Sequence, residues 1–164
     1  MRIAGIIEDD IVDCDDGIAV SLWTVGCPHH CKGCHNVQSQ SLTGGLDVNL
    51  RVLYDEIKSN PLVSGVTFSG GEPFIQPEPL TIFAKILKVE GYSIWAYTGF
   101  TYDKLITDQK RLKLLEYVDV LVDGPFVLSL KSLDLDFRGS SNQRLINVKE
   151  TLAKNSVVLM EGYK

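Results

Sequence analysis

The sequence predicts an α/β fold on parallel strands, left open as a partial barrel of about four to six βα units. Three observations carry that prediction. Apolar, β-prone runs alternate along the chain with segments of helical periodicity, the order that gives parallel βαβ units. Four of those runs end directly in a polar or glycine-rich motif, as strands feeding one loop-lined edge do. The 164 residues suit one domain over residues 1–164 and fall well short of the roughly 250 that a closed eight-unit barrel needs.

Taken in order, residues 2–8 read as a short first strand. Asp9, Asp10, Asp13, Asp15 and Asp16 then crowd a loop that ends at Gly17, and most of these carboxylates are expected to be solvated. Residues 18–25 are mostly apolar and β-prone, a buried strand that stops at Gly26. A polar segment, 38–45, leads to a helix in which Leu50, Leu53, Tyr54 and Ile57 repeat at helical spacing, closed by Asn60-Pro61. Residues 63–69 make the next strand and 78–90 the next helix, with Leu80, Phe83, Ile86 and Leu87 on one face and Gly91 as its stop. A strand over 92–97, a helix over about 102–116 and a strand over 118–122 follow. The tail, 126–164, is less regular, with 156–160 as a candidate last strand.

Composition narrows the function classes. The chain is 45% apolar and 23% charged, without repeats or biased tracts, which is ordinary for a globular protein. A net charge of −5 argues against a non-specific grip on nucleic acid or on an anionic membrane. No apolar run approaches a membrane span, and the apolar stretch at Ile3–Ile7 is too short for a signal peptide. A cytoplasmic setting is therefore expected, where clustered cysteines read as metal ligands more readily than as disulfides.

The chemistry collects at the strand ends. Cys27–Asn36, Gly70–Pro73, Thr98-Gly99 and Asp123-Gly124-Pro125 each follow a strand, so all four fall on one rim of a parallel sheet. Cys27, Cys31 and Cys34 form a C-x3-C-x2-C pattern, and three thiolates this close suit one iron–sulfur cluster or zinc. A [4Fe–4S] cluster normally takes four cysteines, so three would leave one iron open. Cys14 is expected at the far end of the sheet, because eight strand residues at roughly 3.3 Å span about 26 Å. His29, His30 and His35 keep zinc open as an alternative, although structural zinc usually joins two separate ligand pairs. Gly70-Gly71 reads either as a plain strand-to-helix turn or as bare backbone for a ligand, with Glu72 as an acceptor for an ammonium group.

These residues resemble the radical S-adenosylmethionine superfamily, which places C-x3-C-x2-C after one barrel strand and Gly-Gly-Glu-Pro after the next. The resemblance narrows further. Gly26-Cys27-Pro28-His29, Gly33-Cys34, Ser69-Gly70-Gly71-Glu72-Pro73, Tyr97-Thr98-Gly99-Phe100, Val120 to Gly124 and Arg138-Gly139-Ser140-Ser141-Asn142-Gln143 together resemble the anaerobic ribonucleoside-triphosphate reductase activating proteins. Most of the superfamily carries an aromatic residue before the last cysteine; Gly33 stands there in this chain, as in the activases.

The resemblance implies a partial barrel of the radical SAM type, with Cys27, Cys31 and Cys34 holding a [4Fe–4S] cluster. S-adenosylmethionine would chelate the open iron. Gly33, Cys34 and His35 would line that cofactor, and Ser69, Gly70, Gly71 and Glu72 would hold its methionyl end. Asn36, Tyr97 and Thr98 are further contacts, although Tyr97 could equally be core. Reduction of the cofactor would give methionine and a 5′-deoxyadenosyl radical, which takes a Cα hydrogen from a glycine of the reductase large subunit. A small donor such as flavodoxin or ferredoxin would supply the electron. No general base is needed, so His29 and His30 are expected to be exposed loop residues, and no catalytic residue is assigned beyond the cluster ligands. Asp123-Gly124 and Arg138–Gln143 either dock the partner's glycine loop or only close the barrel edge. An activase of another glycyl-radical enzyme, resembling that of pyruvate formate-lyase, and a non-catalytic zinc-binding module are the alternatives.

Overall fold

Alternating side chains on four β-prone runs build the centre of the molecule. The computed structural model describes residues 1–164. Its strands β2 (Ile18–Thr24), β4 (Val63–Gly70), β5 (Ser93–Tyr97) and β6 (Val120–Asp123) lie side by side and parallel, with Leu22 opposite Phe68 and Phe68 opposite Ala96. Side chains point to opposite faces at successive residues. Val20, Leu22, Val66, Phe68, Ile94, Ala96 and Leu121 therefore share one buried face, and Ala19, Trp95, Val120 and Val122 share the other.

The sheet is mixed at its flanks. β1 (Arg2–Asp10) pairs antiparallel with β2 and carries the two-residue β3 (Leu46–Asp47) on its outer side. β7 (Arg144–Asn147) pairs antiparallel with β6, so the order is β3-β1-β2-β4-β5-β6-β7. The two edges do not meet, and the sheet stays open.

Helices α1 (Leu50–Ser59) and α2 (Pro77–Val89) occupy their expected places. The single helix predicted over 102–116 is two, α3 (Tyr102–Leu105) and α4 (Gln109–Leu115). Asp108 divides them, because its carboxylate accepts the N–H groups of Lys110 and Arg111 and so caps a new helix start. The tail holds β7 and α5 (Val148–Lys154), while the candidate strand at 156–160 reduces to one bridge between Leu159 and Ile146.

The acidic loop is solvated for most of its carboxylates, since Asp9, Asp15 and Asp16 are exposed, but Asp10 is buried and Asp13 half-buried. It folds beneath the face that the helices leave bare. Asp10 is buried and accepts the Ser21 hydroxyl, and Asp16 accepts Ser93 Oγ and Trp95 Nε1. Asp15, exposed itself, receives the Tyr163 hydroxyl at 2.7 Å, which ties the C-terminal tail to the same layer. Buried strand donors such as Ser21 and Trp95 need acceptors, and the nearest are these carboxylates. Cys14 sits among them, packed with Ala19, Trp95 and Val122.

Candidate iron–sulfur site

The C-terminal ends of β2, β4, β5 and β6 open onto a cavity of about 340 Å³. Cys27, Cys31 and Cys34 line it as free, partly buried thiols. The loop that carries them leaves β2 through Gly26, whose N–H donates to the Ser39 carbonyl, while the Cys27 N–H donates to that of Gln40. Burial raises the pKa of the Cys27 thiol. The backbone N–H groups of His29 and His30 oppose that shift, and the charges of Glu72 and Cys31 reinforce it. The Asn36 N–H approaches Cys34 Sγ at 3.4 Å. Amides aimed at sulfur favour the anionic ligand form that a cluster takes.

The residues fit an iron–sulfur cluster on one further observation. No three His, Cys, Asp or Glu side chains converge on a single-ion position, whereas the three thiols border one larger hollow. Cys14 does not line the cavity, and burial raises its thiol pKa too.

Of the other residues singled out from the sequence, Gly33, His35, Ser69, Gly70, Gly71, Tyr97 and Thr98 border the cavity. Asn36 and Glu72 do not. Asn36 is buried and accepts the Ser39 hydroxyl at 2.8 Å. Glu72 is fully buried beneath the rim. Gly71 is required by packing, since a Cβ there would stand 2.5 Å from the Gly26 carbonyl oxygen. Gly33 adopts φ +77, which L side chains rarely adopt, and a Cβ would also meet Leu128 at 2.9 Å.

Two parts of the site escape sequence reasoning. His29 is not an exposed loop residue: it lines the cavity, and its side chain is only 16% exposed because Nε2 lies 2.8 Å from Glu72 Oε2. The far wall comes from the irregular segment after β6, with Phe126, Lys131, Leu133, Leu135 and Arg138 facing the hollow. The Arg138–Gln143 stretch fixes that wall. Gln143 Oε1 accepts the Gly139 N–H at 2.9 Å, its Nε2 donates to the Gly124 carbonyl, and Asn142 Nδ2 donates to that of Pro125. The sequence signal for it was the density of Asn, Gln, Ser and Gly, which favours local hydrogen bonding over regular structure.

Three half-buried thiols around one hollow, on a loop at the rim of an α/β sheet, define a single-cluster iron–sulfur protein. The chain indeed matches the 4Fe-4S single cluster domain over residues 15–146. It is 34% identical over 142 residues to an anaerobic ribonucleoside-triphosphate reductase-activating protein of Haemophilus influenzae, covering 78% of this chain and 86% of the relative. The counterparts from Escherichia coli (32% over 143 residues, covering 82% and 90%) and Enterobacteria phage T4 (31% over 147 residues, covering 84% and 91%) carry the same name. The chain belongs to the anaerobic ribonucleoside-triphosphate reductase-activating protein family.

Proposed function

We infer that this chain is the activating enzyme of an anaerobic ribonucleoside-triphosphate reductase, a radical SAM oxidoreductase that places a radical on a glycine of the reductase large subunit. The observation that carries the reading is the joint placement of Cys27, Cys31 and Cys34 with Ser69, Gly70 and Gly71 around one cavity, in a family of activating proteins. Cys27, Cys31 and Cys34 would hold a [4Fe–4S] cluster. Gly33, His35, Ser69, Gly70, Gly71, Tyr97 and Thr98 border the space left for S-adenosylmethionine, and the open sheet is read as a partial radical SAM barrel. When bound and reduced, that cluster would supply one electron to the sulfonium of S-adenosylmethionine, for an overall yield of methionine, 5′-deoxyadenosine and a glycyl Cα radical.

The chain's own residues orient and shield. The Asn36 amide faces the Cys34 sulfur, and Phe126, Leu133 and Leu135 add apolar surface to the far wall of the cavity. Lys131 and Arg138 add positive charge to that wall, suited to a carboxylate. The clamp of Asn142 and Gln143 onto Gly124 and Pro125 favours an edge-closing role for most of Arg138–Gln143, with Arg138 itself available to a partner. A flavodoxin or ferredoxin is the proposed donor and the cytoplasm the proposed compartment; no helix is long and apolar enough to cross a membrane.

Anaerobic reconstitution with iron and sulfide, followed by EPR of the mixture with S-adenosylmethionine, reductant and a candidate reductase, tests the reading. A glycine-centred doublet is expected. A colourless protein holding stoichiometric zinc, or a brown one that never yields the doublet, would overturn it.

A further inference from the structure

The cysteine loop is tied down at both ends and not in its middle. Pro28, His29 and His30 exchange no backbone–backbone hydrogen bond, and His30 sits at φ +47, a left-handed conformation costly for a side-chain-bearing residue. Side chains must therefore hold this stretch; the exposed His30 ring meets Gln40 Oε1 at 3.3 Å, within the loop's own base, and only His29 reaches another loop.

The His29 ring does so through three contacts. Nε2 lies 2.8 Å from Glu72 Oε2, and a carboxylate only accepts, so Nε2 carries the proton. The ring meets Phe100 edge-on with centroids 4.5 Å apart, and Arg111 covers Phe100 at 4.2 Å, so the stack is backed by α4. The third contact is an absence: a Cβ on Gly99 would lie 2.4 Å from His29 Cδ2. That glycine makes the seat.

Glu72 joins the loops. Oε1 accepts the Phe74 N–H at 3.0 Å and Thr98 Oγ1 at 2.8 Å, while Oε2 accepts the Gly99 N–H at 2.8 Å as well as His29. Two oxygens offer about four lone-pair sites, and four donors already use them. No acceptor is left for a ligand's ammonium group.

We propose that His29 is a positioning residue: through Glu72 it latches the cysteine loop to the loops after β4 and β5, so that cluster ligands and cofactor wall form one unit. The proposal rests on the reading above for what the wall binds. Glu72 then acts one step removed from the cofactor, by holding the rim that Gly71 and Thr98 present to it.

Two measurements test the latch. In the metal-free chain, hydrogen exchange at Cys34 and at Gly99, whose N–H groups donate to the Cys31 carbonyl and to Glu72, is expected to quicken about tenfold in His29→Ala, the size of one lost charge-assisted hydrogen bond, with β4 and β5 amides unchanged. His29→Gln, which keeps a donor near the Nε2 position, is expected to return most of that protection. Unchanged exchange in His29→Ala overturns the proposal, as does loss of protection across the whole sheet.

In the reconstituted proteins, equal iron content is expected, with His29→Ala needing about tenfold more S-adenosylmethionine to shift the EPR signal of the reduced cluster, and His29→Gln recovering. Identical titrations for wild type and His29→Ala overturn the latch. A wild-type signal that never responds to the cofactor sinks the S-adenosylmethionine reading instead, and the exchange experiment still decides the latch.

Discussion

The two faces of the sheet are made by the same four strands and are covered in opposite ways. Under α1, α2 and α4 lie Leu22, Phe68, Ile94, Ala96 and Leu121, all fully buried and apolar. The other face alternates Ala19, Ser21, Thr67, Trp95 and Val122, and its cover is loop: the acidic segment, the 126–143 wall and the C-terminal tail. Helices seal a face and leave no room. Loops seal it only in part, so the floor takes carboxylates of the acidic loop, Asp10 and Asp16, as partners for Ser21 and Trp95, and the rim keeps a cavity. The site occurs where the cover is incomplete.

The helix-backed face is the more sensitive of the two to a single deletion. Phe68 has no exposed surface and is ringed by the larger core. Phe68→Ala is expected to cost about 3–5 kcal/mol, transfer and cavity terms together, read as a lower urea midpoint with unchanged slope. A loss below about 1 kcal/mol would mean that this face collapses onto the gap and is not the rigid half.

On the loop-backed face a substitution should run the other way. Burial, and then the charge of Asp10, raises the Asp13 pKa to about 6 from 3.8. A raised folded pKa means that the group's contribution to stability is fully present below about pH 4 and is lost as pH rises through about 6. Asp13→Asn is thus expected to stabilise the protein at pH 8 by about 1 kcal/mol after screening, and to change nothing at pH 4. Melting curves at the two pH values check it. Equal effects at both would show that Asp13 acts by shape and not by charge.

What was legible in the sequence follows the same division. The period of 2 in β2 and β4, and the period of 3.6 in α1 and α2, report burial against a neighbour and can be read locally. The cysteine spacing is local too. The loop-backed face is assembled by contacts between distant residues: His29 meets Glu72 across 43 positions, and Trp95 meets Asp16 across 79. A dense run of aspartates carries the same signature whether it faces water or strand hydroxyls. The helix expected over 102–116 failed for a different reason. Leu105, Leu112 and Leu115 keep an apolar spacing through the break, and the capping role of Asp108 shows only once the chain has turned.

The smallest expected effect tests whether the helix-backed face is uniform out to its edge. α5 has seven residues, too few to be stable alone, and it went unread for that reason. Packing holds it through Val148 and Thr151, and a cap starts it: Asn147 Oδ1 accepts the Glu150 N–H at 3.0 Å. Asn147→Ala should cost about 1 kcal/mol, and Asn147→Ser should return most of it, since a hydroxyl serves at the same position. Hydrogen exchange within 148–154 should quicken while Phe68 and Ala96 keep their protection, because the edge can fray without opening the centre. If those central amides quicken equally, α5 is part of one cooperative unit with α1 and α2. The helix-backed face would then be rigid out to β7, and the contrast with the loop-backed face would extend over the whole sheet.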